Sequence, residues 1–444
     1  MNTPSEDYHA LLARHDAMRL RRRILTPEGS SGEAGRPAPP QTYDGTADQR
    51  LIEDFLPLVG PLEELIGDLY RALFDRHPYL RALFPESMAF QQAHLAAAFR
   101  YLIGDLHRTD AVAERFTQLG RDHRKLGVRP AHFAAFEGAL VEALRARGGA
   151  RWTGPLEDAW LRMLRLAVSS MVRGEYEAIA ELSSWDATVT AHELRTPDLA
   201  VLRVRPQQPY PFRAGQYASL ETPLLAQAWR PYYLARAPHQ DGELEFHVRA
   251  RRAGGVSDAL AHGTRPGDTL RLGAPRGMLA LPDDAVPGDL LLIASGTGWA
   301  PMKALLQEID AASSPGTRVR LLLEAGAPED SRSAAGMYDT AYLEAFRRGR
   351  PWLTVLPTHS AVHAAGGALR VLNGVLPPHP GASRPPHAFL ALAPEASTAE
   401  PARAVAAGLA AAGVPEAQIH QDVSGVADVT GASASTTRTG SLSA

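Results

Sequence analysis

The sequence predicts a multidomain fold: an all-α domain first, an antiparallel β barrel or sandwich next, and an α/β unit built on a parallel sheet last. Three stretches predict it. Between 47 and 184, apolar residues recur at helical spacing, as in "LIEDFLPLVGPLEELIGDLYRALF" and "AWLRMLRLAVSSMVRGEYEAIAEL", with almost no two-residue alternation. From 186 to 284, β-rich runs such as "ATVTAHELRTPDLAVLRVRP", "GQYASLET", "LEFHVRARR" and "DTLRLGAP" are cut short by Pro and Gly. From 286 to 425, "GDLLLIASGTGWAPMKALLQEI" followed by "TRVRLLLEAG" reads strand, glycine turn, helix, strand. That rhythm builds a parallel sheet with a ligand crevice at its strand ends.

The flanks read differently. Residues 1–46 are an expected arm and linker, where "YHALLARHDAMRLRRRIL" is basic and amphipathic and "TPEGSSGEAGRPAPPQ" has linker composition. Residues 426–444, ending in "TGASASTTRTGSLSA", are low in complexity and expected to be disordered. The 444 residues, 45% hydrophobic and 21% charged, suffice for several cores. A net charge of -3 supplies no basic field, so nucleic acid and anionic membranes are poor partners and small ligands better ones. The absence of cysteine excludes disulfides, thiolate haem ligation and cysteine-held iron–sulfur clusters. No run approaches the roughly 18 apolar residues of a membrane span, and the first residues lack a signal-peptide core. The expected address is the cytoplasm, and the expected state a monomer or weak homodimer.

The helical stretch carries an ordered set of candidate residues. Tyr70 lies just before "ALFDRHPYLRALF" and Phe84 closes it, Gln91 and Leu95 lie four apart on one helix face, and His123 follows in "LGRDHRKLGVRPAHF". A neutral imidazole binds ferrous iron, an apolar wall keeps water out, and one donor stabilises partly negative bound oxygen. His94 and His132 are rival imidazoles, the first beside Leu95 and the second an expected surface residue after the helix start at Pro130. The set resembles the globin domain of flavohaemoglobins and bacterial single-domain haemoglobins. The resemblance implies haem b, with His123 as the proximal ligand, Phe84 wedged against the porphyrin, Tyr70 as distal hydrogen-bond donor, and Gln91 and Leu95 above the iron. It also implies that Glu175 is the carboxylate that hydrogen-bonds the ligating histidine, although the companion tyrosine is here Phe133. Asp122 stands where the family has a lysine near a haem propionate.

The later motifs follow one another in a second family's order. "WRPYYLARAP", "GGVSDAL", "GDTLRLGAPRG" and "SGTGWAP" are similar to the flavin and nucleotide motifs of ferredoxin reductases, which implies an FAD-binding barrel and an NAD(P)-binding domain. Arg230 then neutralises a flavin phosphate, and Tyr232 stacks on or bonds the isoalloxazine. Ser257 and the Gly254, Gly255 and Val256 backbone face pyrophosphate. Arg249 is a further candidate for phosphate charge. Gly296, Thr297, Gly298 and Pro301 form the turn and helix start that favour nicotinamide-dinucleotide phosphates. Departures cluster where nicotinamide meets flavin: Tyr233 replaces the serine at flavin N5, Leu392 and Ala393 precede Pro394 in place of Cys-Gly-Pro, and Ser424 aligns with the aromatic that covers the flavin. Glu324, Glu329 and Asp330 favour NADH over NADPH, because an acid accepts a ribose hydroxyl and repels a 2'-phosphate.

The function implied is that of a nitric oxide dioxygenase, in which NAD(P)H reduces FAD, FAD passes single electrons to haem, and O2 with NO gives nitrate. Two alternatives stand beside it: a haem-based gas or redox sensor with an impaired reductase, and a globin reductase acting on peroxides.

Overall fold

The computed structural model describes residues 43–179, 181–282, 289–312, 317–325, 337–359, 387–392 and 400–422. The expected arm and tail, together with Glu329, Asp330, Ala393, Pro394 and Ser424, lie outside them. Among the described residues six α-helices come first: α1 (Thr46–Val59), α2 (Leu62–Arg76), α3 (Ala89–Asp105), α4 (Thr109–His123), α5 (Pro130–Gly148) and α6 (Gly154–Glu177). Helix α2 opens on Glu63 and Glu64 and closes on Arg76, matching the sign of the helix dipole at each end. Its apolar stripe of Leu62, Leu65, Ile66, Leu69 and Leu73 is buried, each side chain worth roughly 1.5–3 kcal/mol. Pro130 at the first position of α5 uses a site where no amide hydrogen is needed.

Helices α4 and α6 touch backbone to backbone. A Cβ on Gly120 would collide with the Met171 carbonyl, and one on Gly174 with the Thr117 carbonyl. The reciprocal glycines set the depth at which α4 lies in the bundle, and α4 ends on His123.

Six strands follow: β1 (Trp185–Thr196), β2 (Leu199–Pro206), β3 (Tyr217–Glu221), β4 (Arg230–Tyr233), β5 (Leu244–Arg249) and β6 (Thr269–Leu272). They pair antiparallel in the order β4-β3-β6-β1-β2-β5. A bridge between Leu234, just past β4, and Phe246 in β5 brings the two edges together, which decides for a barrel over a sandwich. Its interior holds Trp185, Val189, Leu202, Leu220, Phe246 and Leu270, among others.

The last unit is a five-stranded parallel sheet in the order β11-β10-β7-β8-β9. Its strands are β7 (Asp289–Ser295), β8 (Arg318–Ala325), β9 (Leu353–His359), β10 (His387–Leu392) and β11 (Ile419–Gln421). Alternate residues pack on opposite faces. Leu292, Leu321 and Phe389 meet Trp299 and Met302 of α7 (Trp299–Ala312). Leu291, Ile293 and Leu390 meet Val405 and Leu409 of α9 (Glu400–Ala411), with α8 (Thr340–Arg347) between them in the chain. The chain runs from β7 toward β8 on one side and returns to β10 on the other, so the switch point falls between β7 and β10.

A buried polar network joins barrel and parallel sheet. Lys303 Nζ on α7 donates to Glu245 Oε1 on β5 at 2.8 Å and to Asp339 Oδ2 at 3.0 Å. His247 bonds Glu245 and the Tyr338 hydroxyl, and Trp299 Nε1 donates to Asp339. No helix among the described residues is long and apolar enough to cross a membrane.

Candidate functional site

His123 ends α4 with its Nδ1 2.9 Å from the Leu119 carbonyl, one turn back. A carbonyl only accepts, so Nδ1 carries the hydrogen and Nε2 keeps a lone pair. Burial lowers the imidazole's affinity for a proton below its ordinary value, and the neutral ring is the form that ligates iron. The ring lines a cavity of about 1480 Å³. Among the described residues no group of three or more His, Asp or Glu could hold a bare metal ion. An imidazole with a free Nε2 facing a large, mostly apolar cavity, with no cluster of protein ligands beside it among the described residues, suits a metal that brings its other ligands as a porphyrin.

Tyr70, Phe84, Gln91 and Leu95 line the same cavity, so the structure brings these expected residues together with His123. Tyr70 is 6% exposed. Burial pushes its phenol well above the ordinary value, so it keeps its proton. Its ring meets Phe84 edge-on at 5.5 Å and stacks on Phe74 at 5.8 Å, which fixes its direction. Gln91 Oε1 is buried without a hydrogen-bond partner. Such an orphan is uncommon in a folded interior and marks a place where a ligand completes the site.

His94 and His132 line the same cavity, each with its Nδ1 already near a backbone group. His94 lies 4.0 Å from the Phe90 ring with Nδ1 3.3 Å from the Phe90 carbonyl. His132 is more than a surface residue, because its Nδ1 accepts the Arg129 N–H at the start of α5. Glu175 does not hold the proximal ring as the resemblance implies, since the Leu119 carbonyl takes His123 Nδ1. Glu175 is half-buried, and burial raises its affinity for a proton against the pull of Arg124 and Arg129. Asp122 pairs across the domains, accepting Arg276 Nη2 at 2.7 Å and Nε at 3.0 Å.

On the barrel, Arg230 donates to the Trp229 carbonyl at 2.8 Å and lies 3.3 Å over the Phe90 ring of α3. The expected phosphate cation is thus seated on the globin-side helix. Burial pulls its guanidinium down to about 10, and no carboxylate pairs with it among the described residues. Tyr232 packs against the barrel core, where burial raises its phenol. The Tyr233 hydroxyl donates to Asp422 Oδ2 at 3.2 Å, and Asp422 Oδ1 accepts the Met278 N–H at 2.6 Å.

The pyrophosphate turn is partly spent on itself. Gly254, at φ +69, donates its N–H to Asp258 Oδ2, and Gly255 donates to the Arg252 carbonyl. Val256 and Ser257 begin the following helical turn. Ser257 Oγ accepts the Arg251 N–H and so retains its own hydrogen to donate. Arg249 pairs with Asp198 at 2.5 Å. Gly296 (φ +51), Thr297 and Gly298 form the turn between β7 and α7, with Pro301 buried in the first turn of the helix. Gly298 is required for a second reason: a side chain there would strike the Ala391 carbonyl of β10. Leu392 ends β10, half-buried.

The cavity does not stop at the helical domain. Its wall continues through Lys125 to Tyr217, Gln227, Trp229 and Arg276. Residue spacing missed this group, along with Asp422, because its members meet only after the barrel folds; the available signals were the exposed-looking charges flanking "GDTLRLGAPRG" and "WRPYY".

Comparisons with known proteins agree with this division. Residues 67–171 match the globin family model, and residues 186–280 match the oxidoreductase FAD-binding domain. The chain therefore combines a globin domain with a reductase of the FAD/NAD(P)-binding type, a flavohaemoprotein-like architecture. Among curated relatives, the flavohaemoprotein of Bacillus subtilis is 25% identical over 55% of this chain and 65% of its own length. The ferredoxin–NAD(P)+ reductase component of the Pseudomonas putida naphthalene 1,2-dioxygenase system is 34% identical over 38% of this chain and 48% of its own. The matched stretch thus covers less than two thirds of either relative's length. A solved flavohaemoglobin from Malassezia yamatoensis, with bound FAD and haem, shares the fold at a TM-score of 0.63 and 17% identity, covering 84% of this chain and 97% of that one.

Proposed function

We propose that the chain is an NAD(P)H-dependent nitric oxide dioxygenase that uses haem b and FAD. The observation that carries the reading is the single cavity joining His123, Tyr70 and the orphaned Gln91 to barrel residues Trp229 and Tyr217. The bound FAD and haem of the Malassezia protein support it. When bound, FAD splits the hydride's electron pair into single electrons and haem supplies the oxygen chemistry. In balance, one NAD(P)H, two NO and two O2 give NAD(P)+, two nitrates and one proton.

The chain's own residues do the rest. His123 presents neutral Nε2 as the iron ligand, held in direction by the Leu119 carbonyl. Tyr70 keeps its proton and offers it into the distal space, where negative charge develops, and the Gln91 amide is the second polar group there. Phe84 and Leu95 exclude water. Arg230 and the Ser257 hydroxyl supply charge and a donor to flavin phosphate, and the Gly296–Gly298 turn receives the nicotinamide dinucleotide at the sheet's switch point.

The test is nitric oxide consumption by haem- and FAD-loaded protein given NADH or NADPH and oxygen. Catalysis should vanish in His123→Ala, together with the Soret band. Equal rates for the two proteins would sink the proposal. One observation favours a second reading, a haem-based gas or redox sensor: the Tyr233–Asp422 hydrogen bond occupies the crevice between barrel and parallel sheet. Haem reduction by anaerobic NADH within seconds would discard it.

A further inference from the structure

The barrel side of the cavity carries polar groups that the proposed function leaves unused. Its wall there is made by the barrel and by the turn after α4. Lys125 Nζ lies 5.0 Å from the centre of the Trp229 ring and has no carboxylate within ion-pair distance among the described residues. Arg271 flanks the same indole at 5.0 Å but is neutralised by Glu221 at 2.6 Å. Arg276 directs both Nε and Nη2 at one oxygen of Asp122, which leaves Nη1 without a hydrogen-bond partner among the described residues. Its backbone is pinned by two hydrogen bonds with Tyr217, at 2.7 and 2.8 Å. Among the described residues Asp122 thus pairs with Arg276 alone, and Asp122 and Glu221 act on Lys125 only at longer range.

Three further observations mark the same place. Trp229 Nε1 is buried without an acceptor, and Gln227 Oε1 is buried without a donor. Gln227 is also the one non-glycine residue with positive φ, +62, among those described, a strained backbone of the kind that collects at binding sites. Both residues line the cavity that His123 faces. Unspent positive charge, an orphaned N–H donor and an otherwise apolar cavity fit a ligand that is apolar over most of its surface and anionic along one edge.

We propose that Lys125, the barrel residue Arg276 and Trp229 Nε1 form a seat for the carboxylates of the porphyrin, so that the reductase barrel completes the haem site. The inference rests on the reading that the cavity holds haem. Asp122 then acts as a positioning residue that holds the guanidinium at the cavity mouth. Haem in this seat bridges two domains, and its loss frees both sides of the interface.

The test uses the full chain loaded with haem b or with haem dimethyl ester, whose carboxylates are masked. The readouts are porphyrin transfer to excess apomyoglobin, followed in the Soret region, and FAD affinity from flavin fluorescence. Wild type should lose the ester at least about tenfold faster than haem, a difference near 1.4 kcal/mol. A Lys125→Met/Arg276→Met variant should lose haem at the ester's rate, with ester loss and FAD affinity unchanged, and Arg276→Lys should restore part of the difference. Equal loss of the two porphyrins from wild type overturns the seat. So does a variant that loses both faster by one factor, which marks a general loosening, or one in which only FAD affinity falls, which assigns the cations to flavin phosphate. Absence of a Soret band with either porphyrin overturns the haem reading itself.

Discussion

Replacing Gly174 by alanine tests whether the backbone contact between α4 and α6 places His123, the proposed iron ligand. The new Cβ would lie 2.7 Å from the Thr117 carbonyl carbon and nearer still to its oxygen. Ordinary contacts begin at about 3.2–3.5 Å and the oxygen is the closer atom, so the helices must part by more than about 1 Å. Alanine gains about 1 kcal/mol of helix propensity over glycine, while overpacking a filled interface costs about 1–3 kcal/mol. The balance is a net loss of up to about 2 kcal/mol, read from urea midpoints. Because α4 moves with Thr117 and ends six residues later on His123, the variant should also release haem faster. A substitution at Gly67, where a Cβ meets nothing within 4 Å, is the control and should stabilise the protein. If Gly174→Ala proved as stable as wild type with unchanged haem release, the positioning argument would fail.

Three other substitutions probe separate parts of the molecule. Tyr70→Phe removes the phenol donor from the wall of the proposed haem cavity, and a hydrogen bond to a partly charged acceptor is worth about 1.5–3 kcal/mol; stopped flow should show dioxygen leaving the ferrous protein about 10- to 100-fold faster. Lys303→Met leaves Glu245 and Asp339 buried without their ammonium, and denaturant melts should report a loss of about 3–5 kcal/mol. Burial works against the Glu245 charge, but His247 and Lys303 overcome it and hold the carboxyl far below its usual range. The stability it contributes is therefore lost as pH falls, and the variant's deficit should shrink in acid. Asp422 has the opposite sign: burial raises its carboxyl above the ordinary value, against the Met278 and Tyr233 hydrogen bonds. Its protonated form suits the fold, so stability falls as pH rises through its folded-state value. Asp422→Asn should melt higher than wild type at pH 8 and lose that advantage near pH 4.

How much of this was legible follows from what kind of signal each feature leaves. The three textures survive intact in the fold, because helical spacing, Gly- and Pro-cut β runs and the strand-turn-helix rhythm are local. The grouping of these residues around one cavity was also legible, since Tyr70, Gln91, Leu95 and His123 lie on three consecutive helices, with Phe84 in the turn between the first two. Partnerships across the domains were not. Asp122 and Arg276 stand 154 positions apart, and Tyr233 and Asp422 stand 189 apart; no periodicity relates residues that meet only through the packing of separate units. Arg230 shows the same limit. Its motif announces a cation, but whether that cation faces a phosphate or the Phe90 ring depends on where α3 lies against β4. Glu175 fails for a simpler reason: an i to i-4 carbonyl was already within reach of His123 Nδ1, and a local partner is met before a distant one.

The strand order of the barrel explains why it can serve both neighbours. In the sequence β4-β3-β6-β1-β2-β5 the two outermost strands carry different chemistry. Strands β4 and β3, with the loop after β6, supply Arg230, Tyr217 and Arg276 to the side that meets α3 and the end of α4. Strand β5 supplies Glu245 and His247 to the side that meets Lys303 of α7. Closure through Leu234 and Phe246 makes those edges adjacent rather than opposite. Residues that touch the helical domain and residues that touch the parallel sheet therefore lie on neighbouring strands of one rigid wall. Tyr233 is the extreme case: it ends β4, meets Tyr217 of β3 edge-on at 5.9 Å, and reaches Asp422 just past β11. A single-residue change at that corner acts on both interfaces at once, so Tyr233→Phe should alter the coupling between the halves more than the stability of either.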